Sequence, residues 1–233
     1  RPPRSTLFPY TTLFRSHAGA YYVQEASSQF VGHLLAAVRT EGARILDLCA
    51  APGGKTTLYA SLAGPDGLVV ANEIDRRRAS VLADNVRKWG TGNVAVTTCE
   101  PRALGDFEAW FDVVAVDAPC SGEGMFRKEA AATAQHNDGL VAHCAELGAE
   151  ILENAAALLA PGGVLVYSTC TFAPTENEGS ISRFLERHPE FSILPVEKKD
   201  GMMPGVPAWT EHPADGLEHT IRLWPHHLKG EGH

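Results

Sequence analysis

The sequence predicts an α/β fold in which helices cover both faces of a doubly wound, mostly parallel sheet. From residue 44 onward, short apolar runs alternate with segments of helical periodicity. The run 113–116 (VVAV) is continuously apolar, which is typical of a parallel strand buried on both faces. Strands that alternate with helices in this way indicate crossover connections between parallel strands.

Short apolar runs bounded by turn residues predict the strands of this sheet. Five core strands are expected, over Arg44–Ala50, Leu68–Ile74, Val94–Cys99, Phe111–Asp117 and Val164–Ser168. Two further strands are expected later in the chain, over Phe191–Val196 and Thr220–Trp224. Residues 118–138 are rich in Gly, Ser and charge and residues 198–218 in Pro and Gly, so both segments are expected to be loops.

Helical periodicity predicts four helices, over Lys55–Ala63, Arg76–Trp89, Leu140–Leu159 and Asn177–Arg187. The second is expected to end at Gly90 and to turn four side chains inward, those of Val81, Leu82, Val86 and Trp89. The third has one apolar face, made of Leu140, Cys144, Leu147, Ile151, Ala155 and Leu158. The segment 161–163 (PGG) is expected to end that third helix.

Composition favours a soluble globular domain with one sizeable core. The 233 residues are 44% hydrophobic and 21% charged. Neither a membrane-spanning apolar run nor a secretory signal pattern is recognised. Five cysteines at irregular spacing are unlike a disulfide framework, and no C-x-x-C pair suggests a zinc site. These features together predict a cytoplasmic protein with free thiols and no metal.

Both ends of the sequence look foreign to a natural domain. Residues 6–16 (TLFPYTTLFRS) resemble a translated sequencing adaptor, so residues 1–16 are expected to be non-native and to pack poorly. Residues 17–233 are then a single domain. The chain stops soon after TIRLWPHHLK without a turn or cap, so the last strand of the sheet is expected to be truncated.

The turn after the first strand is the candidate ligand site. It reads DLCAAPGGKT from Asp47 to Thr56, and Gly53 and Gly54 let a ligand approach the backbone at the start of a helix. A dinucleotide site would need G-x-G-x-x-G, which is absent. A phosphate loop would need glycine where Cys49 stands, although Gly54-Lys55-Thr56 and the strand ending at Asp117 imitate one.

S-adenosylmethionine is the third candidate for this turn. Its ribose hydroxyls need an acceptor at the end of the second strand, where Glu73 stands, and Glu100 after the third strand is placed to face the adenine. Three acids at successive strand ends, Glu73, Glu100 and Asp117, favour this ligand over an ordinary solvated edge.

Two cysteines open polar loops after neighbouring strands. Cys120 follows the fourth strand in DAPCSGEGMFRK, and Cys170 follows the fifth in YSTCTFAPTENE. In a doubly wound sheet those strands are adjacent, so both thiols should lie on the same rim as the ligand turn. Cys49, Cys99 and Cys144 are interpreted as small buried apolar residues.

A pair of thiols beside a carboxylate suits methylation of cytosine at carbon 5. That carbon becomes nucleophilic only after a thiolate adds to carbon 6, and the thiol needs help to ionise near neutral pH. Asp117 is placed to hydrogen-bond or protonate ring N3 as charge develops. A second thiol can assist release of the product, and the base must leave its stack to enter the pocket.

The chain resembles the Sun/Fmu-type RNA cytosine-5 methyltransferases, especially the bacterial enzymes of the F type that act on small-subunit ribosomal RNA. The resemblance runs from Tyr21 to Lys229, through YYVQE, LDLCAAPGGKTT, ANEI, VDAPCSGEGMFRK and LVYSTCTFAPTENE. It implies a Rossmann-like, class I S-adenosylmethionine methyltransferase fold and an RNA substrate, ribosomal RNA first and transfer RNA as the alternative.

The resemblance also implies roles for residues. Cys170 is the expected nucleophile, Cys120 the second thiol and Asp117 a contact to both base and cofactor, with Lys55 ordering the site. The expected cofactor contacts are Cys49, Ala50, Ala51, Pro52, Gly53, Gly54, Lys55, Glu73, Glu100 and Asp117. Family members carry further N- and C-terminal parts, which would explain how a chain with net charge −8 binds RNA.

Three alternatives remain open from the sequence. A DNA cytosine-5 methyltransferase would use the cysteine of Pro119-Cys120 as nucleophile, but the large target-reading domain is missing. A nucleoside-triphosphate-binding module would bind ATP at the turn. A truncated, inactive fragment would fail to fold cooperatively. His226 and His227 have no metal-ligand spacing, so no metal is expected.

Overall fold

Five parallel strands form the central sheet of the computed structural model, which describes residues 21–227. In chain order they are β1 (Arg44–Asp47), β2 (Leu68–Asn72), β3 (Val94–Thr97), β4 (Phe111–Asp117) and β5 (Leu159–Ser168). Across the sheet the order is β3-β2-β1-β4-β5, with every pairing parallel. The predicted doubly wound sheet is confirmed, and β1 and β4 flank the point where the winding direction changes.

Helices pack on both faces of this sheet. The helices are α1 (Ala26–Leu35), α2 (Gly54–Ala63), α3 (Arg76–Trp89), α4 (Ala130–Gln135), α5 (Asp138–Leu158) and α6 (Glu178–Arg187), of which the short α4 has no buried residue and lies in the loop region after β4. The bounds of α3 match the prediction because its ends are well specified: Asp75 accepts hydrogen bonds from the first turn, and Gly90 adopts a left-handed φ of 78°. Neither α1 nor α4 was predicted.

Alternate residues of the strands pack into two separate apolar layers, one on each face of the sheet. Ile45 of β1 and Val113 of β4 pack with α1 and α2, whereas Leu46 and Val114 face the layer that contains Ile151 of α5. All four strand residues are at most 2% exposed. Burial on both faces explains why these strands read as continuous apolar runs.

Three strands end earlier than predicted, because the residues that follow them leave the sheet and form loops at its carboxyl edge. β1 stops at Asp47, β2 at Asn72 and β3 at Thr97, so the residues up to Ala50, Ile74 and Cys99 are loop. The prediction that Val81 of α3 faces inward is also wrong, since Val81 is 50% exposed. It is displaced by about 100° around the helix from the buried Leu82.

The Pro161–Gly163 segment lies inside β5 instead of between α5 and the strand. The helix ends at Leu158 and β5 begins at Leu159, with a register irregularity before Val164. A side chain at Gly163 would come within 2.9 Å of two backbone carbonyl oxygens, so glycine is required at this irregularity.

The last part of the described chain departs most from prediction. Residues 191–199 form no strand, because Phe191 packs edge-on against Phe184 of α6 at 5.1 Å instead of pairing. The expected loop 198–218 contains β6 (Met202–Pro204), which pairs antiparallel with β7 (Ile221–Leu223). The latter confirms a strand within 220–224.

Two predictions about the chain ends fall outside residues 21–227. They are the poor packing of residues 1–16 and the truncated last strand. Within the part of the chain that the structure describes, no helix has the length and apolar character needed to cross a membrane.

A buried ion pair joins β7 to α6. Arg222 Nε donates to Glu178 Oε1 at 2.8 Å, and the two side chains are 6% and 2% exposed. We expect Arg222→Met to lower the free energy of unfolding by about 3–5 kcal/mol, because it leaves a buried carboxylate unpaired. The double variant Arg222→Met/Glu178→Gln should lose less. Urea unfolding checks both, and equal losses in the single and double variants would contradict this account.

Candidate active site

The candidate site lies where the carboxyl ends of β1, β2, β4 and β5 meet. Asp117 and Ser168 are paired neighbours at the ends of β4 and β5, and Asp47 of β1 pairs with Ala115 of β4. This is the edge at which open α/β sheets bind their ligands. The site is therefore built on rigid strand ends, with loops supplying the side chains beyond them.

The two loop cysteines are in direct contact. Cys120 Sγ lies 3.2 Å from Cys170 Sγ, and the backbone N–H of Cys170 donates to Cys120 Sγ at 3.2 Å. The adjacency of β4 and β5 produces this contact, since Ala118 N donates to Ser168 O at 2.8 Å just before the thiols. The structure thus brings together two residues that lie 50 positions apart.

The environment makes the two thiols unequal. The pKa of Cys170 is lowered by the hydrogen bond from the Cys120 thiol and by the Lys55 ammonium, against the opposing effects of burial and Asp117. The same hydrogen bond, together with burial, raises the pKa of Cys120. Cys170 is therefore the thiol that ionises more readily, and the thiolate is the nucleophilic form.

Asp117 is held at the same place by two polar neighbours. Lys55 Nζ lies 2.6 Å from Asp117 Oδ2, and Ser168 Oγ donates to Asp117 Oδ1 at 2.9 Å. The Lys55 side chain is only 9% exposed, whereas that of Asp117 is 35% exposed and open to a ligand. Each carboxylate oxygen keeps a lone pair for a further hydrogen bond. Ser168 was not among the predicted site residues.

The turn from Cys49 to Lys55 leads directly into α2. Gly53 adopts a left-handed φ of 109°, and within residues 21–227 no side chain caps the helix that starts at Gly54. An added Cβ at Gly54 would meet Tyr22 at 3.0 Å and Gln24 at 3.1 Å. The segment 22–24 therefore covers the turn. It leaves no room for a side chain at position 54, which explains why glycine stands there.

Glu73 has the property expected of a ribose-binding carboxylate. It is 2% exposed, and its Oε1 accepts a hydrogen bond from Asp75 N at 3.0 Å. Its buried Oε2 accepts no hydrogen bond from any residue in the described chain, although Arg78 Nη1 lies 3.3 Å away. Arg78 pairs with this oxygen by charge but makes no hydrogen bond to it, so a lone pair remains that fits a ligand hydroxyl.

Glu100, unlike Glu73, is not buried. It is exposed, lies three residues beyond the end of β3 and forms an ion pair with Arg102. Its contact with adenine remains a prediction. Beneath it, the buried Asn72 side chain donates to Cys99 O at 3.0 Å and accepts from Thr97 Oγ1 at 3.0 Å, which ties the ends of β2 and β3 together. Asn72 was missed from the sequence.

The other three cysteines lack a nucleophile's environment. Cys144 is buried, and Cys49 and Cys99 pack against the apolar layer under the sheet edge. Burial, with Asp47 nearby, raises the pKa of Cys49 to about 12. A thiol with that pKa stays protonated at neutral pH. All five cysteines lie within residues 21–227, and none forms a disulfide there.

The buried Asp47 makes the free energy of unfolding depend on pH. It is 1% exposed and accepts a hydrogen bond from Thr56 Oγ1 at 2.6 Å, yet burial raises its pKa from 3.8 to about 7. Between those values the folded chain keeps a proton that the unfolded chain loses. Stability from this group is therefore fully present below about pH 4 and falls as the pH rises to about 7, by up to about 4 kcal/mol.

Asp47→Asn should remove most of this pH dependence, because the amide cannot ionise. We expect the free energy of unfolding of the variant to change less than that of the parent between pH 5 and pH 8 in urea titrations. Asp66→Asn, at an exposed position, is the matched control and should keep the parent's slope. The same slope in all three proteins would contradict the pKa assigned to Asp47.

Residues 21–227 contain no group of three or more His, Cys, Asp or Glu side chains that could hold a metal ion. The side chains brought together at this edge are two thiols, carboxylates and an ammonium group. They can supply a nucleophile, hydrogen bonds and charge stabilisation.

Comparison with known proteins gives concordant matches. Residues 34–233 match the family model described as 16S rRNA methyltransferase RsmB/F. The ribosomal RNA small subunit methyltransferase F of Serratia proteamaculans is 38% identical over 190 residues, which are 81% of this chain and 39% of the relative. The chain spans about two fifths of the length of the curated relatives it matches.

Two solved structures share the fold over almost the whole chain. A methyltransferase homolog protein from Pyrococcus horikoshii is 30% identical with a TM-score of 0.80, covering 97% of this chain and 70% of its own. The structure of NSun6 from Pyrococcus horikoshii with SFG is 27% identical with a TM-score of 0.79, covering 97% of this chain and 54% of its own.

Proposed function

The chain belongs to the 16S rRNA methyltransferase family RsmB/F, and from that premise we propose that it transfers a methyl group from S-adenosylmethionine to carbon 5 of a cytosine in RNA. Ribosomal RNA, as in the names of its relatives, is the proposed substrate, and a cytoplasmic location is part of the proposal. The observation that carries the proposal is the contact between the Cys120 and Cys170 thiols beside Asp117.

The residues at the sheet edge fit S-adenosylmethionine. Glu73 Oε2 is the proposed acceptor for the ribose, and the turn from Cys49 to Lys55 is the proposed seat of the amino-acid part. The similarity to NSun6 supports this, since that structure contains SFG, an analogue of the cofactor. When bound, S-adenosylmethionine supplies an electrophilic methyl group.

The chain's own residues then activate the base. The Cys170 thiolate adds to carbon 6 of cytosine, and the ring electrons shift toward carbon 5 and N3. In its protonated form, with the Lys55 ammonium 2.6 Å away as the source of the proton, Asp117 donates a hydrogen bond or the proton itself to N3 as charge develops there. After transfer, the carbon 5 proton passes to a base or to water, its electron pair re-forms the double bond between carbon 5 and carbon 6, and Cys170 leaves carbon 6 as a thiolate. Cys120, within 3.2 Å of the nucleophile, is positioned to assist this release.

The geometry disfavours the two other binding functions. In a phosphate-loop protein the lysine must be free for phosphates, but Lys55 is buried against Asp117. In a DNA cytosine-5 methyltransferase the thiol at position 120 would be the nucleophile and would need no second thiol after the fifth strand, yet Cys170 Sγ lies 3.2 Å from Cys120 Sγ. Both comparisons favour the RNA methyltransferase.

Nucleoside analysis tests the proposed reaction. The chain is incubated with methyl-deuterated S-adenosylmethionine and unmodified 16S ribosomal RNA, and a parallel sample contains transfer RNA. The RNA is digested and its nucleosides are identified by mass spectrometry. We expect deuterated 5-methylcytidine from the ribosomal RNA and none with the Cys170→Ala variant. Label in a different methylated nucleoside, or binding of ATP without binding of S-adenosylmethionine, would contradict the proposal.

A further inference from the structure

Two loops carry the paired thiols, and their backbones touch. The Cys120 loop comprises residues 118–129 and follows β4, and the Cys170 loop comprises residues 169–177 and follows β5. Gly124 N in the first donates to Cys170 O in the second at 2.8 Å. This is the one backbone–backbone hydrogen bond between the two loops in residues 21–227, so side chains make the other contacts that join them.

A buried carboxylate of the Cys170 loop reaches into the Cys120 loop. Glu176 is 1% exposed, and both of its oxygens bind the residue after Cys120. Ser121 N donates to Glu176 Oε2 at 2.9 Å, and Ser121 Oγ donates to Oε1 at 2.5 Å. Ser121 Oγ also lies 2.8 Å from Thr171 Oγ1, beside Cys170. One carboxylate therefore ties together the residues that follow each cysteine.

A second carboxylate reaches in the opposite direction. Glu123 of the Cys120 loop accepts hydrogen bonds at Oε2 from Thr171 Oγ1 at 3.0 Å and from Phe172 N at 2.7 Å. Gly122 separates Ser121 from Glu123 with a left-handed φ of 74°, which turns the chain so that both residues face the Cys170 loop. The two loops thus exchange carboxylates in a reciprocal brace.

We propose that Glu123 and Glu176 are positioning residues that hold the Cys120 and Cys170 thiols at their separation. Ser121 and Thr171, the residues they bind, are each one position from a cysteine, so movement of either pair moves a sulfur atom. Charge-assisted hydrogen bonds inside a buried site are strong enough to define such a geometry. The consequence for catalysis rests on the proposed function, but the geometry does not.

The distance between the Cys120 and Cys170 sulfur atoms can be tested without RNA or cofactor. Diamide, a thiol oxidant, takes two electrons and two protons from a pair of thiols, which form a disulfide while its N=N bond is reduced to a hydrazine. The rate of the Cys120–Cys170 disulfide, followed by peptide mapping, reports how closely the thiols approach. The pH dependence of Cys170 alkylation by iodoacetamide reports their hydrogen bond. Circular dichroism and thermal melting confirm that each variant is folded.

Glu176→Ala should slow disulfide formation by about tenfold or more, since misplacement of reacting groups by about 1 Å can cost as much as a hundredfold. Glu176→Gln should recover most of the rate, because its amide can still accept from Ser121 N. Glu123→Ala, at a less buried position, should show a loss in the same direction. Glu129→Gln removes an exposed carboxylate from the same loop and is the matched control.

If Glu176→Ala does not fold, Ser121→Ala and Glu123→Ala carry the test, because each removes only part of the brace. Folded variants with the parent's disulfide rate and alkylation profile would overturn the proposal, including when methyl transfer is lost. A reduced disulfide rate that Glu176→Gln restores supports it. Neither result depends on which nucleoside is methylated, so failure of the proposed function is seen separately.

Discussion

Cys170→Ala is expected to lower the single-turnover rate of methyl transfer to RNA by at least about 10⁴-fold, the scale seen when a covalent nucleophile is removed. Without the thiolate, carbon 5 of the cytosine stays electron-poor and cannot accept the methyl group. Cys170→Ser should be nearly as inactive, because a hydroxyl at this position ionises far less readily than the thiol whose pKa the site lowers.

The other cysteines supply the controls for this experiment. Cys144→Ala changes a buried thiol of α5 outside the site and should leave the rate within about twofold of the parent. Cys120→Ala should slow product release more than the first methyl transfer. Retention of the rate in Cys170→Ala with its loss in Cys120→Ala would exchange the roles and favour the chemistry of DNA cytosine-5 methyltransferases.

Asp117→Asn is expected to lower kcat by about 10²–10⁴-fold, the range of a general acid or base. The amide cannot transfer a proton to N3, and Lys55 loses the carboxylate that lies 2.6 Å away. The measurement is methyl transfer at saturating RNA and S-adenosylmethionine, with cofactor affinity determined separately by calorimetry. The separate affinity distinguishes a loss of chemistry from a loss of binding.

A matched aspartate lies at the other end of the same strand. Asp112 of β4 pairs with Arg44 at 2.7 Å, so Asp112→Asn tests the substitution without touching the site. It should keep the parent's kcat. Asp117→Asn with more than a tenth of the parent's kcat and normal cofactor affinity would remove Asp117 from the reaction.

The core of the fold could be predicted because burial leaves a mark on the sequence. A strand covered on both faces must be apolar where it is covered, as in residues 113–116 of β4, and an amphipathic helix with an N-cap and a terminal glycine, as in Arg76–Trp89, has visible ends. The segment Phe191–Val196 is also largely apolar, yet it pairs with no strand, and Phe191 packs against Phe184 of α6. The local sequence pattern does not distinguish a core strand from an apolar segment that lies outside the sheet. The difference depends on which part of the folded chain the segment packs against.

The site was predictable to the extent that topology determines it. Adjacent parallel strands end at one edge, so the meeting of Cys120 and Cys170 followed from the order of β4 and β5. The hydrogen bonds between side chains did not follow, because their partners are far apart in sequence. Glu176 and Ser121 are 55 positions apart, and Ser168 and Asp117 are 51. Only three-dimensional placement reveals that these side chains meet.

Trapping of a covalent protein–RNA complex tests the proposed mechanism most directly. Cys120→Ala is mixed with unmodified 16S ribosomal RNA and S-adenosylmethionine, and the products are separated on a denaturing gel and mapped by peptide mass spectrometry. The account predicts an adduct that accumulates with Cys120→Ala, maps to Cys170 and disappears in Cys120→Ala/Cys170→Ala. An adduct carried by a different residue, or one that accumulates only with Cys170→Ala, would contradict it.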